Sequence, residues 1–579
     1  MSSPRRASRN SCSWQRRCRS RAVWAARSTR WRSPEPGAAQ QRGGSMLDDI
    51  YNLPLEERAL GPILRARAES EGDRPYLTFA DRTWSFREAD AEARSIARGL
   101  AARGVGRGDS VALLMPNCAE FVFTWYGACL RGAAMVPINP QYRGFMLDAP
   151  LRETAARGIV VHHSLVESLH SLAPEVYAGL DWVAVVGGTS GVELPQGKAE
   201  LISYEALRLT EGADPEIPCG YRDIHSVMYT SGTTGPSKGV MIPNGQFFAS
   251  ACVFLRAVAL TREDVIFTPL PLFHGLASRL GVLPAMMVGA HVVVGERFSA
   301  SRFWDQAAEC GATVGHTIFT IPPILKAQPP GPQDRAHRIR CMYNAHHDPE
   351  FEERFGVRLV EAYGMTETGL IVYSDYPERR EGAAGRLHDD WEARIVDEND
   401  FPLPPGEVGE IAVRPKLPFI MMQGYLDKPE DTLRACRNLW FHTGDMARLD
   451  EDGYFFFVDR KKDRIRRRGE NISSWDVENF VGAHPDVAEC VALPHPAEAG
   501  EDDVRVVVVF KAGAKTTPAK LAEWLEARMP AFMLPRYIEE MAELPRNPTS
   551  KVEKYKLVEQ GLGTSTHDRE ARKTKRKTG

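Results

Sequence analysis

Short, almost wholly apolar runs alternate with longer helical segments through the first third of the chain, and few folds accept that pattern. SVALLMPN (110–117), AMVPINP (134–140), GIVVHH (158–163) and DWVAVVGG (181–188) each read as a strand buried on both faces. Among them, FREADAEARSIARGLAARG (86–104) and AEFVFTWYGACLRG (119–132) read as helices. The first has Phe86, Ala89, Ala93, Ile96, Ala97 and Leu100 on one stripe, and Ser85 with Glu88 makes a capping box ahead of it. A strand that is apolar on both faces needs cover on both, which parallel strands joined through helices provide. The expected fold class is α/β, with parallel sheets covered by helices in a large N-terminal domain.

Beyond about residue 385 the texture changes. WEARIVDENDFPLPPGEVGEIAVR (391–414) holds short strands with frequent turn signals, which predicts a small β subdomain. The densely charged FVDRKKDRIRRRGEN (457–471) is followed by a helix (WDVENFVGAH), a strand (VRVVVVFK) and a helix (PAKLAEWLEARM), the pattern of a small α+β domain. A chain of 579 residues is too long for one core. The expected organisation is a basic leader over 1–45, a large domain over 46–458, a hinge over 459–463, a small mobile domain over 464–562 and a solvated basic tail over 563–579.

Eleven arginines against the single acid Glu35 give residues 1–45 a balance of +10, so the rest of the chain carries −13 of the total −3. That argues against a general nucleic-acid surface on the folded part. The Arg- and Ser-rich leader resembles a transit peptide or a basic arm; alternatively Met46, where globular patterning begins, is the true start. The ten cysteines form no C-x-x-C pair and no zinc-spaced cluster, so reduced thiols and a cytoplasmic location are expected. The most apolar stretch, VLPAMMVGAHVVVG (282–295), is too short and too broken by Pro and Gly to span a bilayer. GVGRGDS (104–110) leaves a helix and enters a strand, the reverse of a dinucleotide fingerprint, and reads as a helix C-cap and turn. No G-x-S-x-G hydrolase elbow occurs.

YTSGTTGPSKGVM (229–241) is too polar for a core and too glycine-rich for a helix. It is a solvated linker or a phosphate cradle, in which glycines let backbone N–H groups converge on an anion and Lys238 adds charge. It lacks the Gly-Lys-Ser/Thr of a Walker A loop. Four other stretches accompany it: YGMTETG (363–369), WFHTGDMARLDEDGYFFFVDR (440–460), IRRRGENISSWDVEN (465–479) and LPRNPTSKVEKYKL (544–557). Singly, each has a bland reading as a helix start, a turn, a solvated basic face or an exposed lysine.

Together, in this order and spacing, they resemble the adenylate-forming superfamily of acyl- and aryl-CoA synthetases, luciferases and peptide-synthetase adenylation domains, over roughly residues 50 to 560. YGMTET is most similar to the acyl-CoA ligases, and the stretch 327–368 more narrowly to carnitine/crotonobetaine-CoA ligases. The resemblance implies a ligase that makes an acyl-AMP from a carboxylic acid and ATP, releases pyrophosphate, and then passes the acyl group to CoA. ATP, Mg²⁺ and CoA are the implied cofactors.

It assigns Thr230, Ser231, Gly232, Thr233, Thr234, Gly235 and Lys238 to the triphosphate, Thr366 to phosphate and Glu367 to Mg²⁺. Asp445 and Arg460 are implied at the ribose, and Tyr363 with Gly364 beside the adenine. Lys551 is implied as the bridge between carboxylate and α-phosphate, Lys462 as the hinge, and Gly469 with Arg468 at the thiol tunnel. His274, Asn344, Ala345 and His346 are implied at the acyl pocket, with a purely structural His274 as the competing reading.

Two positions depart from the family pattern. Ser550 stands where a glycine commonly precedes the bridging lysine, and Arg468 replaces the first glycine of the GGEN segment. They keep open a degenerate ATP-binding protein without turnover, and the nearest enzymatic alternative is an acyl-AMP ligase that loads a carrier protein.

Overall fold

The computed structural model describes residues 50, 51, 53–214, 219–230, 237–318, 321–344, 347–460, 465–467, 470–472, 474–497, 501–545, 552 and 554–571, with the backbone alone at 323, 458–460, 471, 475 and 555. All fall within one contact-defined unit, Ile50–Gly579.

The alternating segment folds as its pattern requires. Ser110–Leu114, Ala134–Pro137, Gly158–His162, Trp182–Val186 and Glu200–Ser203 are parallel neighbours in an eight-stranded sheet. The helix Phe86–Ala102 begins at the expected capping box, where Ser85 accepts from the Glu88 N–H and Glu88 accepts from the Ser85 N–H. Its six stripe residues are all fully buried. Gly104 and Gly108 adopt positive φ (75° and 88°) in the turn that follows, as GVGRGDS predicts. At the other end of this sheet, Ile224–Thr230 and Lys238–Pro243 form an antiparallel pair in which Thr230 faces Lys238.

A second sheet has thirteen strands. Val265–Thr268, His291–Val294, Val314–His316, Cys341–Asn344 and Arg358–Met365 are its parallel heart. The predicted β subdomain exists, but it continues this sheet instead of standing apart from it. Arg358–Glu361 pairs in parallel with Cys341–Asn344, while Ala362–Met365 pairs antiparallel with Gly369–Tyr373. One strand thereby joins the two kinds of sheet.

The small C-terminal part has its own four-stranded sheet, built on Val487–Pro496, Asp502–Phe510 and Tyr537–Glu540, with helices Ser474–Gly482 and Pro518–Glu526. Its core includes Val477, Val481, Val506, Val508, Leu521 and Leu525. Met146 joins that core, and Phe145 lies 4.7 Å from Phe480, so the two parts are in contact.

Part of the stretch expected to be a solvated tail, 563–579, joins the small sheet. His567–Asp568 is the fourth strand of the small sheet, paired with Tyr537 and Ile538. Arg467, buried to 3% exposure, explains the capture: it bonds Asp503 at 3.1 Å, Glu570 at 2.9 Å and the Leu534 carbonyl at 2.7 Å. A buried guanidinium needs all its donors met, and the tail supplies one acceptor. Residues 572–579, and residues 461–463 of the expected hinge, lie outside the described set.

A chain ended after Leu562 should therefore unfold its small domain at a lower temperature than the full chain. Leaving Arg467 short of one partner costs about 1–3 kcal/mol. An unchanged melting profile would return 563–571 to the solvent.

Candidate active site

The site is assembled at two turns and one strand. The first joins Thr230 to Lys238 across the loop 231–237. Ser231, Gly232, Thr233, Thr234 and Gly235 lie outside the described residues, but both ends of the loop are fixed. Ser237 Oγ donates to the Thr230 carbonyl at 2.8 Å, and Lys428 Nζ to the Ser237 carbonyl at 3.0 Å. Lys238 Nζ lies 3.3 Å from Asp431 and 4.8 Å from the centre of the Tyr425 ring.

The second turn carries Thr366 and Glu367 between Met365 and Gly369, in a hairpin and not in a helix. Gly364 is required there, because a Cβ would fall 2.1 Å from the Gly369 carbonyl oxygen. The turn is held from below by Gln246, whose amide donates to the Thr366 carbonyl at 2.8 Å. Glu367 is buried and accepts from Tyr425 Oη at 2.9 Å. Burial and the neighbouring carboxylate raise the Tyr425 pKa, so this phenol stays a donor. Lys238, Tyr425 and Glu367 thus form one cluster, with Tyr425 between the cation and the carboxylate.

Asp445 lies within the strand Phe441–Leu449, is 1% exposed and accepts from Tyr363 Oη at 2.8 Å. Asp445 and Arg460 face each other across antiparallel strands. The structure thus brings Tyr363, Asp445 and the backbone of Arg460 together.

At the acyl side, Asn344 ends a parallel strand and accepts from Thr317 Oγ1 at 3.0 Å. Ala345 and His346 lie outside the described residues. His274 Nε2 lies 3.1 Å from a Glu470 oxygen, a contact that reaches across to the small domain. Burial alone lowers the His274 pKa, but the charge and hydrogen bond of Glu470 outweigh it, and the net shift is upward. Gly469, one residue before Glu470, lies outside the described set, as do Arg468, Lys462 and Lys551. Tyr425, Gln246, Asp431 and Glu470 were missed in the sequence. Glu470 sits inside a recognised motif, whereas the other three carry no chemical signal until the chain folds.

A profile described as AMP-binding enzyme matches residues 64–426, and one described as AMP-binding enzyme C-terminal domain matches 476–551. The chain belongs to the AMP-binding enzyme family. It is 32% identical over 507 residues to a crotonobetaine/carnitine–CoA ligase of Salmonella agona, covering 84% of this chain and 96% of that protein. Among solved AMP-binding enzymes, o-succinylbenzoate CoA synthetase from Bacillus subtilis, bound to a product analogue, superposes with a TM-score of 0.73. It is 25% identical, with 86% of this chain and 98% of that one covered. The amide bond synthetase McbA from Marinactinospora thermotolerans matches with the same TM-score and identity, over 86% and 99% of the two chains. Among the described residues, no helix is long and apolar enough to cross a membrane.

The His274–Glu470 contact carries a pH signature. With a raised folded pKa, the protonated pair stabilises the docked small domain fully below the ordinary histidine value of about 6.5, and that contribution is lost as pH rises through the shifted value. The melting-temperature difference between wild type and Glu470→Gln should be present at pH 6 and shrink by pH 8.5. A constant difference across that range would remove His274 from the interaction.

Proposed function

We propose that the chain is an ATP-dependent, AMP-forming acid–CoA ligase, which adenylates a carboxylic acid and transfers the acyl group to CoA. The observation that carries this reading is the convergence of Lys238, Tyr425 and Glu367 beside a glycine-rich loop, on a chain that also fixes Tyr363 on Asp445. Joining two anions demands clustered positive charge and donors that are already oriented. A nucleotide ribose demands a buried carboxylate with lone pairs to spare, which Asp445 offers. The related ligases and their names support CoA as the acceptor over a carrier protein, and retention of every charged site residue supports turnover over degeneracy.

Mg²⁺ fits the residues present. It favours one or two carboxylates together with substrate phosphates, and Glu367 with Thr366 supplies oxygen donors at the right turn. When bound, it would neutralise charge on the phosphates. Thr230 and Lys238 would hold the β- and γ-phosphates, Tyr363 would flank the adenine, and Arg460 would join Asp445 at the ribose. Lys551 would span the attacking carboxylate and the α-phosphate, following charge as it moves. Expulsion of AMP by the CoA thiol would then occur with Gly469 at the tunnel, which a side chain would obstruct, and with Lys462 as the pivot between the two poses. A cytoplasmic location accords with this chemistry.

The test is pyrophosphate release with ATP and a panel of acids, followed by thioester formation on adding CoA. Asp445→Ala should weaken ATP use more than acid use, by about 1.5–3 kcal/mol for the lost charge-assisted bonds. Unchanged ATP kinetics would retire the ribose assignment.

The two half-reactions should also separate by residue. Lys551→Ala should lose acyl-AMP formation yet still convert supplied acyl-AMP and CoA to thioester, and Gly469→Trp should do the reverse. If both folded variants lose both halves equally, alternation of the small domain does not operate here.

A further inference from the structure

Three arginines are buried among the described residues: Arg279, Arg467 and Arg505. Two of them have carboxylates. Arg467 bonds Asp503 and Glu570, and Arg505 bonds Glu539 at 2.7 Å. Arg279 has none. It lies five residues beyond His274 in the π-helical turn Ser278–Val282, with 8% of its surface exposed. Its Nη1 makes one long bond, 3.3 Å, to Gln246 Oε1, and its buried Nε has no partner among the described residues. Phe247 offers a ring centre at 5.8 Å, and Glu367 and Tyr343 act on the cation through space.

A guanidinium presents five donors and stays charged at any physiological pH. Burying it with so few acceptors is costly, and folds do not keep such a group without a compensating partner. Single-turn π geometry is itself rare and is frequently found at functional sites. Arg279 is also placed where a substrate would reach it. Gln246 links it directly to the turn that carries Glu367. Tyr343 belongs to the parallel strand that ends at Asn344, and ligands in open α/β sheets gather at the carboxyl ends of such strands. Gly275 leaves room beside it, since a Cβ there would come within 3.2 Å of Arg279 Nη2.

We propose that Arg279 pairs with a second anionic group on the acid, and that the substrate of this ligase is a dicarboxylic acid. The inference rests on the acid–CoA ligase reading above. One carboxylate is consumed by adenylation, while the other stays ionised in a dry pocket and needs a fixed cation. An acid with a quaternary ammonium, such as carnitine, would instead meet a like charge there. On this point the chain parts from the crotonobetaine/carnitine–CoA ligases it resembles in sequence.

The probes are straight-chain dicarboxylic acids of four to seven carbons, their monomethyl esters, and 4-(trimethylammonio)butyrate. Each is compared by calorimetric binding to the full chain and by kcat/KM for pyrophosphate release. The best dicarboxylate should exceed its own ester by about tenfold to a hundredfold in both readouts, and the cationic acid should rank last. In Arg279→Gln the ratio of dicarboxylate to ester should collapse toward one, and Arg279→Lys should restore part of it. Equal use of the three classes by the wild type overturns the proposal, as does a ratio that survives in Arg279→Gln. Equal losses for dicarboxylate and ester, with the ratio kept, would give Arg279 to the reacting carboxylate or to the fold. If Arg279→Gln does not fold, the wild-type ranking and Arg279→Lys decide alone. Absence of pyrophosphate release with every acid would fail the ligase reading, while the binding ratio would still judge Arg279.

Discussion

The strand Arg358–Met365 has to satisfy two incompatible neighbours, and the architecture follows from how it does so. Its first half completes a parallel sheet whose strands are covered by helices, and its second half opens an antiparallel ladder that runs on to Asp445 and Arg460. The changeover needs Gly364 and Gly369 in backbone contact, with no Cβ between them. Because the hairpin is pinned there, the turn bearing Thr366 and Glu367 is set against the Lys238–Pro243 strand through Tyr425. The antiparallel ladder in turn delivers Asp445 beneath Tyr363. Acidic, basic and phenolic groups from residues 230 to 460 meet through one structural compromise.

Among the described site residues, three charged groups already have an occupant's substitute. Lys238 leans on Asp431, Asp445 on Tyr363, and Glu367 on Tyr425. Such pairing keeps buried or half-buried charge tolerable without a nucleotide, and the phosphate and ribose oxygens then offer stronger partners at little cost in reorganisation. Arg279 breaks that pattern, which is why it stands out.

The parts legible in the sequence were those where a short pattern meets one physical demand. The six-residue stripe of Phe86–Ala102, its capping box and the buried strands could be read because burial and period are local properties. Thr230, Lys238, Thr366, Glu367 and Asp445 were legible through motifs. Illegible features depend on contacts between distant segments. The β subdomain's fusion to the parallel sheet turns on two glycines whose closeness no spacing reveals. The tail looked solvated because its composition is charged, yet charge is what Arg467 required of it. Arg279 sits in an ordinary-looking helical stretch, and its missing counter-ion becomes visible only when the other buried arginines are seen to have theirs.

The capture of His567–Asp568 also sets an order of events during synthesis. The large domain's strands are all available once residue 460 has emerged from the ribosome. The small domain must wait for roughly the last hundred residues and closes only when its outermost strand arrives beside Tyr537, since domains form as units when their pairing partners exist. Until then Arg467 and the edge of Tyr537–Glu540 face solvent without their final partners. The nascent chain therefore holds a finished large domain before the small one can close.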